Sequence, residues 1–149
     1  MDAVFVDSNI LIYSQDTSEP LKQRQAHSWL EHLWRTRTGR VSFQVLREVY
    51  INITRHLPNP LPVASARSLV RLFLEWNPRP ESPEIFETAW KIESKYQLSW
   101  WDSMIVGAAH LMECRYLLTE DFQEGAQLNE LIVINPFSTS WEALGGADS

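Results

Sequence analysis

The chain has 149 residues, of which 44% are hydrophobic and 21% charged, and its formal net charge is −6. These values are typical of one globular domain with a sizeable core. The negative charge excludes broad electrostatic attraction to nucleic acid as the main mode of binding, although a metal-binding acidic centre would carry negative charge of its own. There is no run of about 18 apolar residues and no leader-like N-terminus, and the single cysteine cannot form an internal disulfide, so we expect a cytoplasmic protein.

The first half of the chain alternates short apolar runs with amphipathic segments. A run over Ala3–Val6 ends at Asp7 and predicts a buried first strand. Pro20 marks the start of the first long helix, because proline is pre-set for a first turn. In chain order we expect a strand over residues 3–6, a short helix over 10–13 and a long helix over 20–37. A brief strand over residues 40–43 and a helix over 44–56 follow.

The second half begins with a proline-rich turn over Pro58–Pro62. The helix after this turn ends at Asn77-Pro78, and a third strand near Leu74–Asn77 is left open by the sequence. The helix that starts at Ser82-Pro83 has a stripe of predicted core residues, namely Phe86, Ala89, Trp90 and Tyr96. An almost wholly apolar helix then follows from the predicted N-cap Ser99 to His110, and strands are predicted over residues 115–119 and 131–134.

Strands that alternate with helices indicate an α/β fold with a mostly parallel central sheet of four or five short strands flanked by helices. The elements end before residue 140. We therefore expect a single domain over residues 1–140 and a flexible C-terminal tail over residues 141–149.

Four acidic residues stand where such a fold would bring them together. Asp7 ends the first strand and Asp121 follows the strand at Tyr116–Leu118, so both carboxylates are expected at the edge of the sheet where ligands usually bind. Asp102 opens the apolar helix, and Glu48 lies one turn into another helix. Four converging carboxylates would repel one another unless cations neutralise them, and oxygen ligands favour magnesium or manganese.

Each of these residues also has a simpler interpretation. Asp7 could end a strand in an ordinary turn, and Asp102 could merely complete a helix cap with Ser99. Glu48 could face solvent, and the segment Thr119–Asp121 could be an exposed turn. The combination favours a shared site, because acids at two strand ends and another opening a buried helix are hard to assemble by chance.

The ordered set of motifs resembles the PIN domain. The motifs are Asp7-x-Asn9, Glu48, Trp101-Asp102 opening an alanine-rich helix, and Leu118-Thr-Glu-Asp121-Phe122. More narrowly, the stretch over residues 117–125 and the later Ile134-Asn-Pro-Phe137 are similar to VapC-type toxin ribonucleases of bacterial toxin–antitoxin pairs. The resemblance covers the chain from the first strand to about Phe137.

This resemblance implies a PIN-like three-layer sandwich and a Mg²⁺ site, with Mn²⁺ as a substitute, formed by Asp7, Glu48, Asp102 and Asp121. Asn9 and Thr119 match polar positions that orient a ligand or a metal-bound water, and Glu120 is a further candidate. The implied chemistry is endonucleolytic hydrolysis of RNA by a metal-activated water. The implied partners are RNA, a cognate antitoxin protein and a second copy of the chain in a homodimer, and no membrane.

Two other functions stay open. One is a catalytically inactive PIN-like module that binds RNA or protein. The other is a phosphohydrolase with Asp7 as a covalent nucleophile. That chemistry normally needs a second aspartate two residues further on as the acid/base, and Asn9 occupies this place.

Overall fold

The computed structural model describes residues 1–145. The elements of this part of the chain are, in order, β1 (Val4–Val6), α1 (Ser8–Tyr13), α2 (Pro20–Thr36), β2 (Gly39–Arg40), α3 (Phe43–Arg55), α4 (Val63–Leu74), α5 (Pro83–Tyr96), α6 (Trp100–Leu111), β3 (Tyr116–Leu118), β4 (Gln127–Leu128), β5 (Leu131–Ile134) and α7 (Glu142–Gly145). No helix within residues 1–145 combines the length and the apolar character needed to cross a membrane.

The strands form one sheet in the order β2–β1–β3–β5–β4. All neighbours run parallel except β4, which is antiparallel to β5. Val6 of β1 stands opposite Leu118 of β3, so the residues that follow these two strands leave the sheet side by side. The predicted α/β fold with a mostly parallel sheet flanked by helices is confirmed.

The core sits where the sheet meets the helices. Every side chain of β1 is buried, as expected for a strand covered on both faces. Trp29 of α2 and Ile53 of α3 are also fully buried, each contributing on the order of 2 kcal/mol of hydrophobic stabilisation. This packing fixes the ends of β1 and β3, from which the acidic residues emerge.

The second strand is shorter than the sequence predicts. The expected strand over Arg40–Phe43 is wrong at its end, because β2 stops at Arg40 and Phe43 already begins α3. The reason is Ser42, whose hydroxyl accepts a hydrogen bond from the amide of Val45 at 3.2 Å and so starts the helix early. The two-residue strand β4 was not predicted, since so short a run has no detectable pattern.

The segment near Leu74–Asn77, left open by the sequence, is not a strand. The helix α4 ends at Leu74, and Asn77 turns the chain with a φ of 51°. Trp76 lies across Gly39 of β2, where an added Cβ atom would be 2.3 Å from the indole ring. A side chain at position 39 would therefore force the Trp76 ring to move.

The predicted core stripe of α5 is partly wrong. Phe86 and Trp90 are 47% and 48% exposed, whereas Ile85, Ala89 and Ile92 are buried. The inward face is rotated by one position from the aromatic stripe, because small and branched side chains fit the close contact of α5 with α6. The exposed rings instead gather around Trp100 of α6, with centroids 5.9 Å and 6.4 Å from it.

The predicted C-terminal tail over residues 141–149 is described only as far as residue 145. Trp141 stacks on His32 with a centroid distance of 4.1 Å and donates its indole N–H to the hydroxyl of Ser28 at 3.0 Å. Residues 142–145 form the short helix α7. Residues 146–149 lie outside the described residues.

Candidate active site

Asp7 occupies the junction between β1 and α1. It is the N-cap of α1, and its Oδ1 accepts a hydrogen bond from the amide of Ser8 at 2.7 Å. Its Oδ2 accepts a hydrogen bond from the hydroxyl of Thr119 at 2.9 Å. Both oxygens are therefore held in place, and the side chain is only 4% exposed. The turn interpretation and the site interpretation of Asp7 are compatible, because the cap uses one oxygen.

The charge on Asp7 is poorly compensated by these contacts. Burial raises the pKa of this carboxyl from 3.8 to about 7 against the lowering effect of its hydrogen bonds from Thr119 and Ser8. The nearby charges of Asp121 and Glu48 raise the pKa further. A buried carboxylate with other carboxylates beside it is a position that a cation would stabilise.

A second group follows β3 and joins Asp7 through Thr119. The amide side chain of Asn9 donates to the Thr119 hydroxyl at 3.2 Å and to Asp121 Oδ2 at 3.0 Å. The amide of Asp121 also donates to the Thr119 hydroxyl, at 3.1 Å. Burial raises the pKa of Asp121, and the charges of Glu120 and Asp102 act in the same direction. Asn9 and Thr119 thus bridge two of the predicted acidic residues.

Glu48 reaches the same edge of the sheet from α3. Its Oε2 accepts a hydrogen bond from the hydroxyl of Ser8 at 2.8 Å, and its Oε1 accepts one from the Gln44 side chain at 3.0 Å. Ser8 therefore links Glu48 to Asp7 through adjacent residues. The simpler interpretation of Glu48 as a solvent-facing residue does not describe this position, where the side chain is half-buried and both of its oxygens accept hydrogen bonds from the chain.

Asp102 lies in the first turn of α6. Ser99 is the N-cap, as predicted, and its hydroxyl accepts a hydrogen bond from the Asp102 amide at 3.1 Å. The predicted burial of the helix holds for its middle, where Ile105, Val106 and Ala109 are in the core. Its first turn is nevertheless at the surface, and Asp102 is partly exposed. Its carboxylate accepts no hydrogen bond from the described part of the chain, which leaves its oxygens open.

Glu120 takes part in a different contact. Its Oε2 accepts a hydrogen bond from Lys22 Nζ of α2 at 3.0 Å. The same Lys22 donates to the hydroxyl of Tyr13 at 3.3 Å. The charge of Glu120 is therefore partly neutralised by a cation of the protein itself, unlike the charges of the other four acids.

The donor set fits a hard divalent cation in its chemistry, since all four predicted ligands offer carboxylate oxygens and Asp7 carries an uncompensated buried charge. The spacing is wider than a closed site. Within residues 1–145, no three aspartate, glutamate, histidine or cysteine side chains form a group that could hold an ion as they stand. Asn9 and Thr119 instead lie between Asp7 and Asp121. Ser8 lies between Asp7 and Glu48.

Three of the residues at this site were not predicted from the sequence. Ser8 carried a signal in its place beside Asp7, and Gln44 carried one in its spacing of four residues before Glu48 on a helix. Lys22 had none, because 98 residues separate it from Glu120.

Comparison with known proteins agrees with this architecture. A family model described as the PIN domain matches residues 4–123. A chain of a toxin–antitoxin complex from Klebsiella pneumoniae is similar in structure, with a TM-score of 0.64 and 21% identity over 90% of this chain and 97% of that one. A chain of VapBC2 from Rickettsia felis, bound to a promoter DNA fragment, gives a TM-score of 0.59 and 17% identity over 89% and 98%. A search of curated proteins found no match.

The family match spans the first strand, all four predicted acidic residues and the Thr119–Asp121 turn. It agrees with the resemblance of the motif order, and the structural neighbours share the fold along nearly their whole length. The chain belongs to the PIN domain family, whose members are generally nucleases.

Proposed function

We propose that this protein is a Mg²⁺-dependent endoribonuclease that hydrolyses RNA phosphodiester bonds and acts as the toxin of a toxin–antitoxin pair. The observation that carries the proposal is the convergence of Asp7, Glu48, Asp102 and Asp121 at the carboxyl ends of β1 and β3, with Asp7 buried and its pKa raised to about 7 by burial. Such a position favours a divalent cation more than a structural ion pair, since no basic side chain bonds to any of these four carboxylates in the described chain.

The four carboxylates would hold the ion, with Mn²⁺ as a substitute for Mg²⁺. When bound, the cation would supply a lowered pKa for a coordinated water and a positive charge beside the phosphate. The chain's own residues orient these ligands. Thr119 and the Ser8 amide fix the rotation of Asp7, and Asn9 holds Asp121 by one oxygen. The other oxygen of Asp121 and both oxygens of Asp102 are then available.

Cleavage of RNA by the purified protein, in Mg²⁺ and in EDTA, tests this function. We expect cleavage only with the metal, and we expect Asp7→Asn and Asp102→Asn to lose on the order of 100-fold or more in kcat/KM. The control is Asp2→Asn. This variant removes an exposed carboxylate that pairs with Arg115 where β1 and β3 begin, at the opposite ends of these strands from the acidic residues. Equal activity of the two site variants and the parent would show that the acidic centre is not catalytic.

A catalytically inactive PIN-like module that binds RNA or protein is the second candidate. The spacing of the carboxylates favours it, because no three of them form a metal-holding group in the described residues. Calorimetry with Mg²⁺ and Mn²⁺ separates the two functions. Binding below millimolar concentrations supports the nuclease, whereas no binding in that range together with retained RNA affinity supports the module.

The proposed partners of the nuclease are an antitoxin protein and a second copy of the chain. The neighbours named as a toxin–antitoxin complex and as VapBC2 support an antitoxin partner. The exposed rings of Phe86 and Trp90 on α5 supply an apolar surface that a homodimer would cover. Light scattering should give twice the mass of the chain, and Trp90→Glu should give a monomer. Co-purification with the product of a neighbouring small reading frame tests the antitoxin.

A further inference from the structure

We propose that Lys22 is a positioning residue of the site, an inference that rests on the proposed nuclease function. Lys22 lies in a group that we call the Lys22 cluster, consisting of Tyr13, Lys22, Glu120 and Phe137. Through Glu120, this cluster fixes the turn over residues 119–121, which presents Thr119 and Asp121 to the acidic centre.

The geometry of Lys22 leaves it little freedom. Its Nζ lies 4.5 Å from the ring centroid of Tyr13 and 5.1 Å from that of Phe137, and the two rings meet edge to face at 5.2 Å. It donates to the Tyr13 hydroxyl at 3.3 Å and to Glu120 Oε2 at 3.0 Å. Two rings, one hydroxyl and one carboxylate thus surround a single ammonium, which is a defined position for an otherwise flexible side chain.

The partners of Lys22 are themselves attached to the fold. Gln25 of α2 donates its side-chain amide to the carbonyl of Phe137 at 3.2 Å, and the Phe137 amide donates to Asn135 Oδ1 at 2.9 Å. The Lys22 cluster therefore joins α1, α2, the turn after β3 and the segment after β5. It is a fixed point to which the turn can be held.

The turn is held from its other side by the acidic centre. The backbone amide of Glu120 donates to Asn9 Oδ1 at 3.4 Å, and the Asp121 amide donates to the Thr119 hydroxyl at 3.1 Å. The side chain of Glu120 extends the opposite way, toward Lys22. Contacts on both sides of one residue fix the backbone of the turn, and the directions of Thr119 and Asp121 follow from it.

This placement also assigns Glu120 a role different from that of a metal ligand. While Lys22 holds its carboxylate, the negative charge that Glu120 adds beside Asp121 is partly neutralised. Without Lys22, the turn would lose its outer contact and this carboxylate would be free to approach Asp121. Both consequences would misplace the ligand, while the fold itself would be little affected because the Lys22 and Glu120 side chains are 34% and 24% exposed.

The test compares Lys22→Met, Lys22→Arg and Glu120→Gln with the parent, using RNA cleavage and amide hydrogen exchange. We expect Lys22→Met and Glu120→Gln each to lower kcat by about 10-fold to 100-fold, with a smaller change in KM, as for other residues that orient metal ligands. The double variant should be no worse than either single variant. Lys22→Arg should recover most of the activity, since it keeps the charge above the two rings.

The matched control is Arg35→Met, which removes the other α2 cation paired with a glutamate, Glu31 at 3.5 Å, and lying over an aromatic ring, that of Trp141 at 5.6 Å. This variant should retain the parent's kcat. Unchanged kcat in Lys22→Met, or an equal loss in Arg35→Met, would overturn the positioning role.

Hydrogen exchange separates this inference from the proposed function. The amides of Glu120 and Asp121 should exchange faster in Lys22→Met than in the parent, and at the parent's rate in Arg35→Met. This result is expected whether or not the parent cleaves RNA, so a protein without nuclease activity would contradict the proposed function and leave the positioning of the turn to be judged by exchange. Unaltered exchange at these two amides would contradict the positioning itself.

Discussion

Two carboxylates of the acidic centre, those of Asp7 and Asp102, are held in place differently. Asp7 is buried, and both of its oxygens accept hydrogen bonds from the chain. Asp102 is partly exposed in the first turn of α6, and its carboxylate accepts no hydrogen bond from residues 1–145, while its backbone amide donates to the Ser99 hydroxyl. One carboxylate is therefore fixed before any ligand arrives, whereas the other is positioned by its helix alone.

This difference determines how much each carboxylate costs in the stability of the fold. Fixing Asp7 places a charge in the core that the fold must tolerate, so in the proposed nuclease, function and stability would oppose each other at this residue. Asp102 costs the fold little, because water still reaches it. The same change from aspartate to asparagine should therefore have different effects on the free energy of unfolding at the two positions, even where both variants lose activity.

The largest expected effect of this contrast is on the metal-free protein. The folded-state pKa of Asp7 is raised from 3.8 to about 7, so its contribution to stability is fully present below pH 3.8 and is lost as the pH rises through about 7. Asp7→Asn has no such loss. In EDTA at pH 8, we expect the variant to be more stable than the parent by about 2 to 4 kcal/mol.

Urea unfolding between pH 5 and pH 8.5 measures this effect. Asp102→Asn is the control, and its stability should follow that of the parent across the range because its carboxylate is partly exposed. If Asp7→Asn loses stability with rising pH as the parent does, the buried charge is not the cause. Added Mg²⁺ should stabilise the parent and leave Asp7→Asn nearly unchanged.

A smaller effect is expected at Thr119, which connects the fixed carboxylate of Asp7 to Asp121. Thr119→Val removes the hydroxyl that donates to Asp7 and accepts from Asn9. We expect kcat/KM for RNA to fall by about 10-fold to 100-fold. Thr38→Val is a matched control, since Thr38 is also buried and shares a hydrogen bond with a threonine hydroxyl, at 2.7 Å from Thr36. Similar losses in both variants would indicate general destabilisation.

The smallest effect concerns the helix that carries Asp102. Ser99→Ala removes the N-cap of α6 and should cost about 1 kcal/mol in the free energy of unfolding. Since α6 alone positions Asp102, fraying of its first turn should also lower kcat. Ser99→Asn restores a capping oxygen and should recover both quantities. A variant that loses stability while keeping the parent's kcat would show that Asp102 does not depend on the cap.

The sequence predicts most of this architecture because apolar runs and caps are local signals. Apolar runs of four and three residues predict the strands that precede Asp7 and Asp121, and the place of Ser99 before an apolar helix predicts the N-cap. The exposed aromatics of α5 were misplaced for a physical reason. Periodicity shows which residues share a face and places Ala89 correctly in the core, but only the close packing of α5 on α6 selects Ile85 over Phe86 and Trp90.

The sequence likewise predicts the positions of the acidic residues in the candidate site but not the contacts between side chains. Its acidic residues follow strand ends or open a helix, so the topology of a parallel sheet predicts that they converge. The hydrogen bonds that separate them, and the contact between Lys22 and Glu120, depend on side-chain directions across 98 residues of sequence. No local pattern contains that information.

The short edge strands of the sheet have a consequence for recognition by other proteins. Its two edge strands, β2 and β4, have two residues each, and Trp76 covers the first of them at Gly39. Edges this short offer few backbone donors and acceptors to an extended peptide, so we expect strand addition to this sheet to be unfavourable for both aggregating chains and binding partners. We expect a partner protein to recognise side chains outside the sheet, so that its specificity can change through surface substitutions that leave the sheet untouched.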